Sequence, residues 1–177
     1  MKTPAETSHD LETKNTIERQ GRLEARATTP DGHTGALTGR ERCMNMLAGA
    51  PCDFVPRTPI LMRFAAEHIG SNYGALTADH RVLVRANQQC AADFGIDQLS
   101  AISDPYRETQ GFGATVIHEP ATGARIEKPP IAGVELDSDA LASLPRPDPL
   151  VATRMRDRID AIRLYAAQNG ATHSILG

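Results

Sequence analysis

The chain has 177 residues, enough for one ordinary domain, with 40% hydrophobic residues, 4% aromatics and no Trp. Its net charge of −3 and pI near 6.1 exclude nucleic acid and anionic membrane as expected partners, because both demand a basic surface. Cys43, Cys52 and Cys90 are odd in number and lack metal-ligand spacing, so they read as free thiols of a reducing compartment, with no metal assigned. No apolar stretch approaches the roughly 20 residues needed to span a bilayer. The N-terminus also lacks a secretory apolar core. A cytoplasmic location is therefore expected.

Residues 1–37 hold no aromatic residue and no sustained period, and are expected to form a disordered polar tail. Thr38-Gly39-Arg40-Glu41 is a capping box, and the helix it opens carries Cys43, Met44 and Leu47 on one face and stops at Gly49. Thr58–Met62 is short and apolar and predicts a buried strand, followed by Arg63 and a helical segment Phe64–Ile69 closed by Gly70. Asp79 caps an amphipathic helix whose apolar face is Val82, Leu83, Ala86, Cys90 and Phe94, ended by Gly95. Ile96–Ser103 predicts a second strand. A short helical turn follows Asp104, then Ala114–His118 and Ala124–Glu127 predict a hairpin across Ala121-Thr122-Gly123. Asp137–Leu144 reads as a short capped helix. Asp148 is expected to cap a long helix Pro149–Asn169 with Met155, Ile159, Ile162 and Tyr165–Ala166 facing the core. Gly170 ends it, and Thr172–Gly177 reads as a strand beginning.

Strands alternating with helices imply a parallel sheet with right-handed crossovers. Three core strands in this order suit an α/β fold, the N-terminal portion of a (β/α)8 TIM barrel. Eight strands need roughly 250 residues, so the barrel is expected to be incomplete. Residues 38–177 form its expected domain.

The apolar run Ile96–Ile102 ends in Ser103-Asp104-Pro105-Tyr106-Arg107. In parallel α/β folds the C-terminal ends of strands carry the chemistry, which makes Asp104 a candidate catalytic carboxylate. Asp followed by Pro is equally a helix start signal, and the capping role does not exclude the catalytic one. Arg107 reads as an anion-binding group or as a solvated helix-surface Arg. Tyr106 reads as a pocket-lining residue or as packing under the loop. His68, His80, His118 and His173 show no mutual spacing and read as surface or structural. Gly111 and Gly113 do not carry a strand into a helix and do not form a dinucleotide motif.

Several segments resemble the uroporphyrinogen decarboxylase superfamily in order and spacing. They are Arg40-Glu41-Arg42, Asp53-Phe54-Val55-Pro56, Pro59-Ile60-Leu61-Met62-Arg63, Asp93-Phe94-Gly95-Ile96-Asp97, Ser103-Asp104, Gly111-Phe112-Gly113-Ala114 and Lys128-Pro129-Pro130-Ile131. The resemblance implies a (β/α)8 barrel. It includes decarboxylases of uroporphyrinogen and zinc-dependent methyltransferases that act with corrinoid proteins. In the decarboxylases an Asp after the second strand binds the pyrrole nitrogens, and Asp104 matches that position. A carboxylate only accepts hydrogen bonds, and an anion there favours the cationic intermediate. The decarboxylases also carry two Arg residues after the first strand that meet substrate carboxylates. Here the first is kept as Arg63 and the second position is Glu67, a reversal of two charge units. That departure makes a different tetrapyrrole-related role or methyl transfer a rival.

The first expectation is a cofactor-free decarboxylase-like fragment acting on a tetrapyrrole in porphyrin biosynthesis, with Asp104 catalytic and Arg63, Arg107 and Tyr106 binding substrate. The second is a zinc- and corrinoid-dependent methyltransferase whose zinc site the resemblance places beyond Gly177. The third is a catalytically inert truncated fragment. The expected partners are a tetrapyrrole-like small molecule and either a second copy of the chain or a complementary C-terminal half.

Overall fold

A computed structural model describes residues 36–131 and 138–177. The expected tail lies outside them apart from Ala36 and Leu37, and so does Asp137, the expected cap of the short helix. The described elements are α1 (Gly39–Leu47), α2 (Arg63–His68), α3 (Tyr73–Ala78), α4 (His80–Phe94), β1 (Gln98–Ser100), α5 (Arg107–Gly111), β2 (Thr115–Glu119), β3 (Gly123–Lys128), α6 (Ser138–Ala142), α7 (Thr153–Asn169) and β4 (Ser174–Leu176).

Local chemistry explains most boundaries. The capping box at α1 forms in full: Thr38 Oγ1 accepts from the Glu41 amide, and the Glu41 carboxylate accepts from the Thr38 amide. Asp79 accepts from the Arg81 amide to start α4, and Gly95, at φ 62°, lets the chain leave it in the left-handed region. Among the described residues the strands form two pairs. β1 runs parallel to β4, with Leu99 opposite Ile175, and β2 and β3 form an antiparallel hairpin.

The main core lies between these helices and β1. It gathers Ala65 and Ala66 from α2, Leu76 from α3, Leu83, Val84, Ala86, Cys90 and Ala91 from α4, Leu99 from β1, and Ala161 and Tyr165 from α7. So many small residues bring the backbones close together. Tyr165 is fully buried and donates to the Ser100 carbonyl at 3.3 Å, which joins α7 to β1. The hairpin has a smaller core of Ala114, Val116 and Ala124, against which Tyr106 and Ile126 pack.

Five expectations need correction. Thr58–Met62 is not a strand: the Arg57 carbonyl accepts from the Asp97 amide, but Pro59, the next residue able to bond that side, has no N–H to donate. Ile60 is left exposed, and Met62 sits at φ 43°, strained for an L residue. The second strand shortens to Gln98–Ser100, because beyond it the backbone turns at Ser103-Asp104 to meet side chains rather than a neighbouring strand. Met44 and Leu47 of α1 are exposed, and the helix instead buries Arg42 beside Cys43. Phe94 leaves the core and packs on Phe64 and His68 at the surface. α7 begins at Thr153, because Asp148 spends its carboxylate on the Leu150 amide in a preceding turn. Its buried residues are Arg154, Ala161 and Tyr165, a face turned away from Met155 and Ile159.

The hairpin docks on α3 through a close backbone approach. The Tyr73 amide donates to the Pro120 carbonyl at 3.1 Å, and a Cβ on Gly74 would fall 2.6 Å from the Glu119 oxygen. In an exposed helix Gly→Ala gains roughly 1 kcal/mol. Here Gly74→Ala is expected to lose about 1–3 kcal/mol by overpacking instead. A thermal melt decides the sign, and a stabilised variant would refute the close approach.

Candidate functional site

Beyond β1 the backbone delivers Ser103 and Asp104 into the interior, where both are buried. Asp104 Oδ1 accepts from Arg154 Nη1 at 3.0 Å and from the Tyr106 amide at 3.0 Å. Its Oδ2 accepts from Arg154 Nη2 at 2.5 Å and from the Ser103 hydroxyl at 2.6 Å. The amide contact closes a turn immediately ahead of α5, so Asp104 serves the backbone without being the residue that caps the helix. Arg154 comes from the first turn of α7 and grips the carboxylate as a two-toothed fork, the strongest geometry open to this pair.

A second ion pair is stacked on the first. Arg107 is 1% exposed, not the solvated residue that its place on a short helix allowed. Its Nε donates to Ser103 Oγ at 2.9 Å, and its Nη1 to the Arg154 carbonyl at 2.9 Å and to Asp157 Oδ2 at 2.5 Å. Asp157 Oδ1 takes the His80 amide at 3.0 Å and lies 2.6 Å from His80 Nδ1. Arg154 Nη2 also donates to the Thr77 carbonyl at the end of α3. One polar network therefore ties the β1 exit, α3, the start of α4 and α7 together.

Burial pushes the Asp104 carboxyl upward, but the Arg154 fork and the Ser103 hydroxyl outweigh it and hold the group below the ordinary carboxylate range. Asp157 follows the same pattern, with Arg107 and the His80 amide opposing burial. Burial lowers the Arg107 guanidinium, against the pull of Asp157.

The other expected site residues lie elsewhere. Tyr106 is half-buried over the hairpin core. Arg63 is exposed on the first turn of α2 and donates from Nε to Glu67 Oε1 at 2.7 Å, one helical turn on. Among the described residues no hydrogen bond or ion pair links Arg63 to Asp104. The structure thus brings Asp104 and Arg107 together through Ser103 and leaves Arg63 with Glu67. Sequence reasoning missed Arg154, Asp157 and Thr77. Arg154 and Asp157 are three apart, as on any charged helix surface, and nothing in that spacing says that the face is buried.

A second buried cation, Arg42, bonds to both oxygens of Asp53 and to Asp97, with its guanidinium 3.7 Å from the centre of the Phe54 ring. It anchors α1 to the entry of β1.

Asp79, His80 and Asp157 offer ligand atoms within 4.8 Å of one another. A cation there would have to displace the hydrogen bonds that Asp157 already takes from the His80 backbone and shares with its ring. Burial pushes the Cys43 and Cys90 thiols up, away from the thiolate that zinc binds. The described residues do not fit a zinc centre.

The uroporphyrinogen decarboxylase (URO-D) family model matches residues 38–177, and the chain belongs to that family. A methyltransferase from Methanosarcina mazei has a similar fold, with a TM-score of 0.57 and 15% identity. The match covers 78% of this chain and 41% of that one, so the chain spans less than half of its length. None of the curated proteins matches.

Removing Arg154 strands a buried carboxylate. Arg154→Met is expected to cost about 3–5 kcal/mol in urea unfolding, and the double variant with Asp104→Asn to recover much of it. A single variant as stable as the parent would show the pair to be dispensable. The depressed carboxyl of Asp104 also sets an acid limb. Its stabilising contribution is complete above the unfolded value, about 3.9, and is lost as the pH falls through the lower folded value. Asp104→Asn should flatten that limb below about pH 4, and an unchanged limb would assign it to other carboxylates.

Proposed function

We propose that the chain is the first part of a (β/α)8 barrel of the URO-D superfamily, and that it serves methyl transfer rather than decarboxylation of a tetrapyrrole. The observation that carries this reading is a double neutralisation. Asp104 has all its acceptor directions taken, chiefly by Arg154, and Arg63 spends its charge on Glu67. A pyrrole macrocycle needs free carboxylate lone pairs for its N–H groups, and its acidic arms need unpaired cations. Methyl transfer makes neither demand. The likeness to a methyltransferase is one of fold. The zinc and corrinoid implied by the family for that chemistry would be supplied by residues and partners other than those described here.

Decarboxylation stays as the second reading because Asp104 follows β1, where the family places its pyrrole-binding carboxylate. The two readings separate in one pair of assays on the chain supplied with zinc and with the remaining part of the barrel that the proposal implies. Under reducing conditions uroporphyrinogen is expected to remain unchanged, while methylcobalamin with a thiol acceptor loses its methyl–cobalt absorbance. Formation of coproporphyrinogen would overturn the proposal, as would intact methylcobalamin.

Glu67 offers a sharper check. Its side chain is 56% exposed, so Glu67→Arg carries little folding cost. It releases Arg63 and adds a cation, and uroporphyrin binding, followed by fluorescence, is expected to tighten about tenfold, or about 1.4 kcal/mol. No change would remove Glu67 from the specificity argument.

A further inference from the structure

The Thr77 hydroxyl lies 2.9 Å from the Gly74 carbonyl oxygen, one turn back on α3, and 2.9 Å from His118 Nδ1 on β2. Thr77 is fully buried, so no solvent shares these contacts. A hydroxyl carries one proton. Two oxygens at 2.9 Å with no proton between them repel, so that proton lies on the line to Gly74. The hydroxyl oxygen then acts toward His118 as an acceptor, and Nδ1 must carry the ring hydrogen. In a neutral ring this leaves Nε2 as a bare lone pair. Among the described residues nothing else hydrogen-bonds the ring.

The ring stands beside the site already described. The Thr77 carbonyl takes a hydrogen bond from Arg154 Nη2, the nitrogen that also grips Asp104, so one residue connects His118 to the buried pair. His118 itself is only half-buried. We propose that His118 Nε2 is a proton-accepting group of this site, held unprotonated by Thr77 to meet a ligand that presents a hydrogen-bond donor at the end of β1. The inference rests on the Asp104 region being the ligand site, in either functional reading. The tautomer itself depends on neither.

The surroundings favour a neutral ring. Burial lowers His118 from its ordinary value, and Arg154 of α7 and Arg107 of α5 push the same way, against Asp104 and Asp157. Tyr73 is the titratable group that α3 presents on this side, and Glu119, the next residue of β2, is paired with Arg125 of β3. The imidazole is therefore unprotonated at neutral pH and available as a base.

The first test reads the tautomer by long-range 1H–15N correlation on the labelled full chain. His118 is expected to show a protonated Nδ1 and a bare Nε2. Thr77→Val, of nearly the same shape, should abolish this preference, and Thr77→Ser should keep it. A proton on Nε2 in the parent chain, or an unmoved tautomer in Thr77→Val, would overturn the proposal. The second test uses diethyl pyrocarbonate, whose carbonyl carbon is attacked by a bare ring nitrogen, forming an N–C bond as monoethyl carbonate leaves. Modification of His118, located by peptide mass spectrometry, should be severalfold faster in the parent than in Thr77→Val. The third asks for the ligand. His118→Asn keeps a donor toward Thr77 but lacks Nε2, and it is expected to weaken binding of methylcobalamin or uroporphyrin, whichever the parent binds. Unchanged binding, or a parent chain that binds neither, would overturn the ligand role even with the tautomer confirmed. Loss of methyl transfer as a function would leave the first two results standing.

Discussion

The fork that Arg154 lays on Asp104 is the contact on which the rest of this region depends. It joins a helix to a loop 50 residues away in sequence, and its second ion pair, Arg107 with Asp157, shares Ser103 and the Arg154 carbonyl with the first. Taking four charged groups out of water is costly, and the cost is met only because nearly every polar atom finds a partner. The Arg154 and Arg158 Nε atoms and Gln110 Oε1 are the buried exceptions among the described residues. A network of this kind holds the β1 exit, α3, α4 and α7 in one relative arrangement, which an apolar patch of similar size would specify less sharply.

Around it the packing is built from small side chains. Alanines at 65, 66, 86, 91 and 161 bring α2, α4 and α7 close, and Gly74 lets α3 touch the hairpin backbone. The large apolar side chains are partly displaced to the surface, where Ile60, Phe64 and Phe94 remain exposed. This division puts geometric precision in the interior. Arg107 and Tyr165 are the two largest fully buried side chains among the described residues.

The electrostatic consequences run outward from the same contact. Asp104 and Asp157 are held as carboxylates by their cations, so neither is suited to donate a proton near neutral pH. Among the described residues, His118, one hydrogen-bonded residue away, keeps an uncommitted lone pair on Nε2. The chemistry available at this end of β1 is therefore weighted toward accepting a proton through the imidazole.

Most helices were legible from local chemistry. The capping box at Thr38, the Asp79 cap, the left-handed exits at Gly49 and Gly95 and the hairpin turn all follow from steric and hydrogen-bonding rules that act within a few residues. Family membership was legible too, because it is carried by short segments in a set order. The fate of Thr58–Met62 was not, since an apolar run reads as a strand until Pro59 is set against the neighbour it cannot bond. The true buried face of α7 was also hidden. Arg154, Asp157 and Arg158 look like a solvated stripe, and only the arrival of Asp104 and Arg107 from another part of the chain makes that stripe the inside. The sequence by itself determined where Asp104, Arg107 and His118 stand along the chain. Tertiary structure decided which charge meets which and which nitrogen of His118 is bare, because pairing and protonation depend on atoms brought within 3 Å by packing, over separations that no local rule spans.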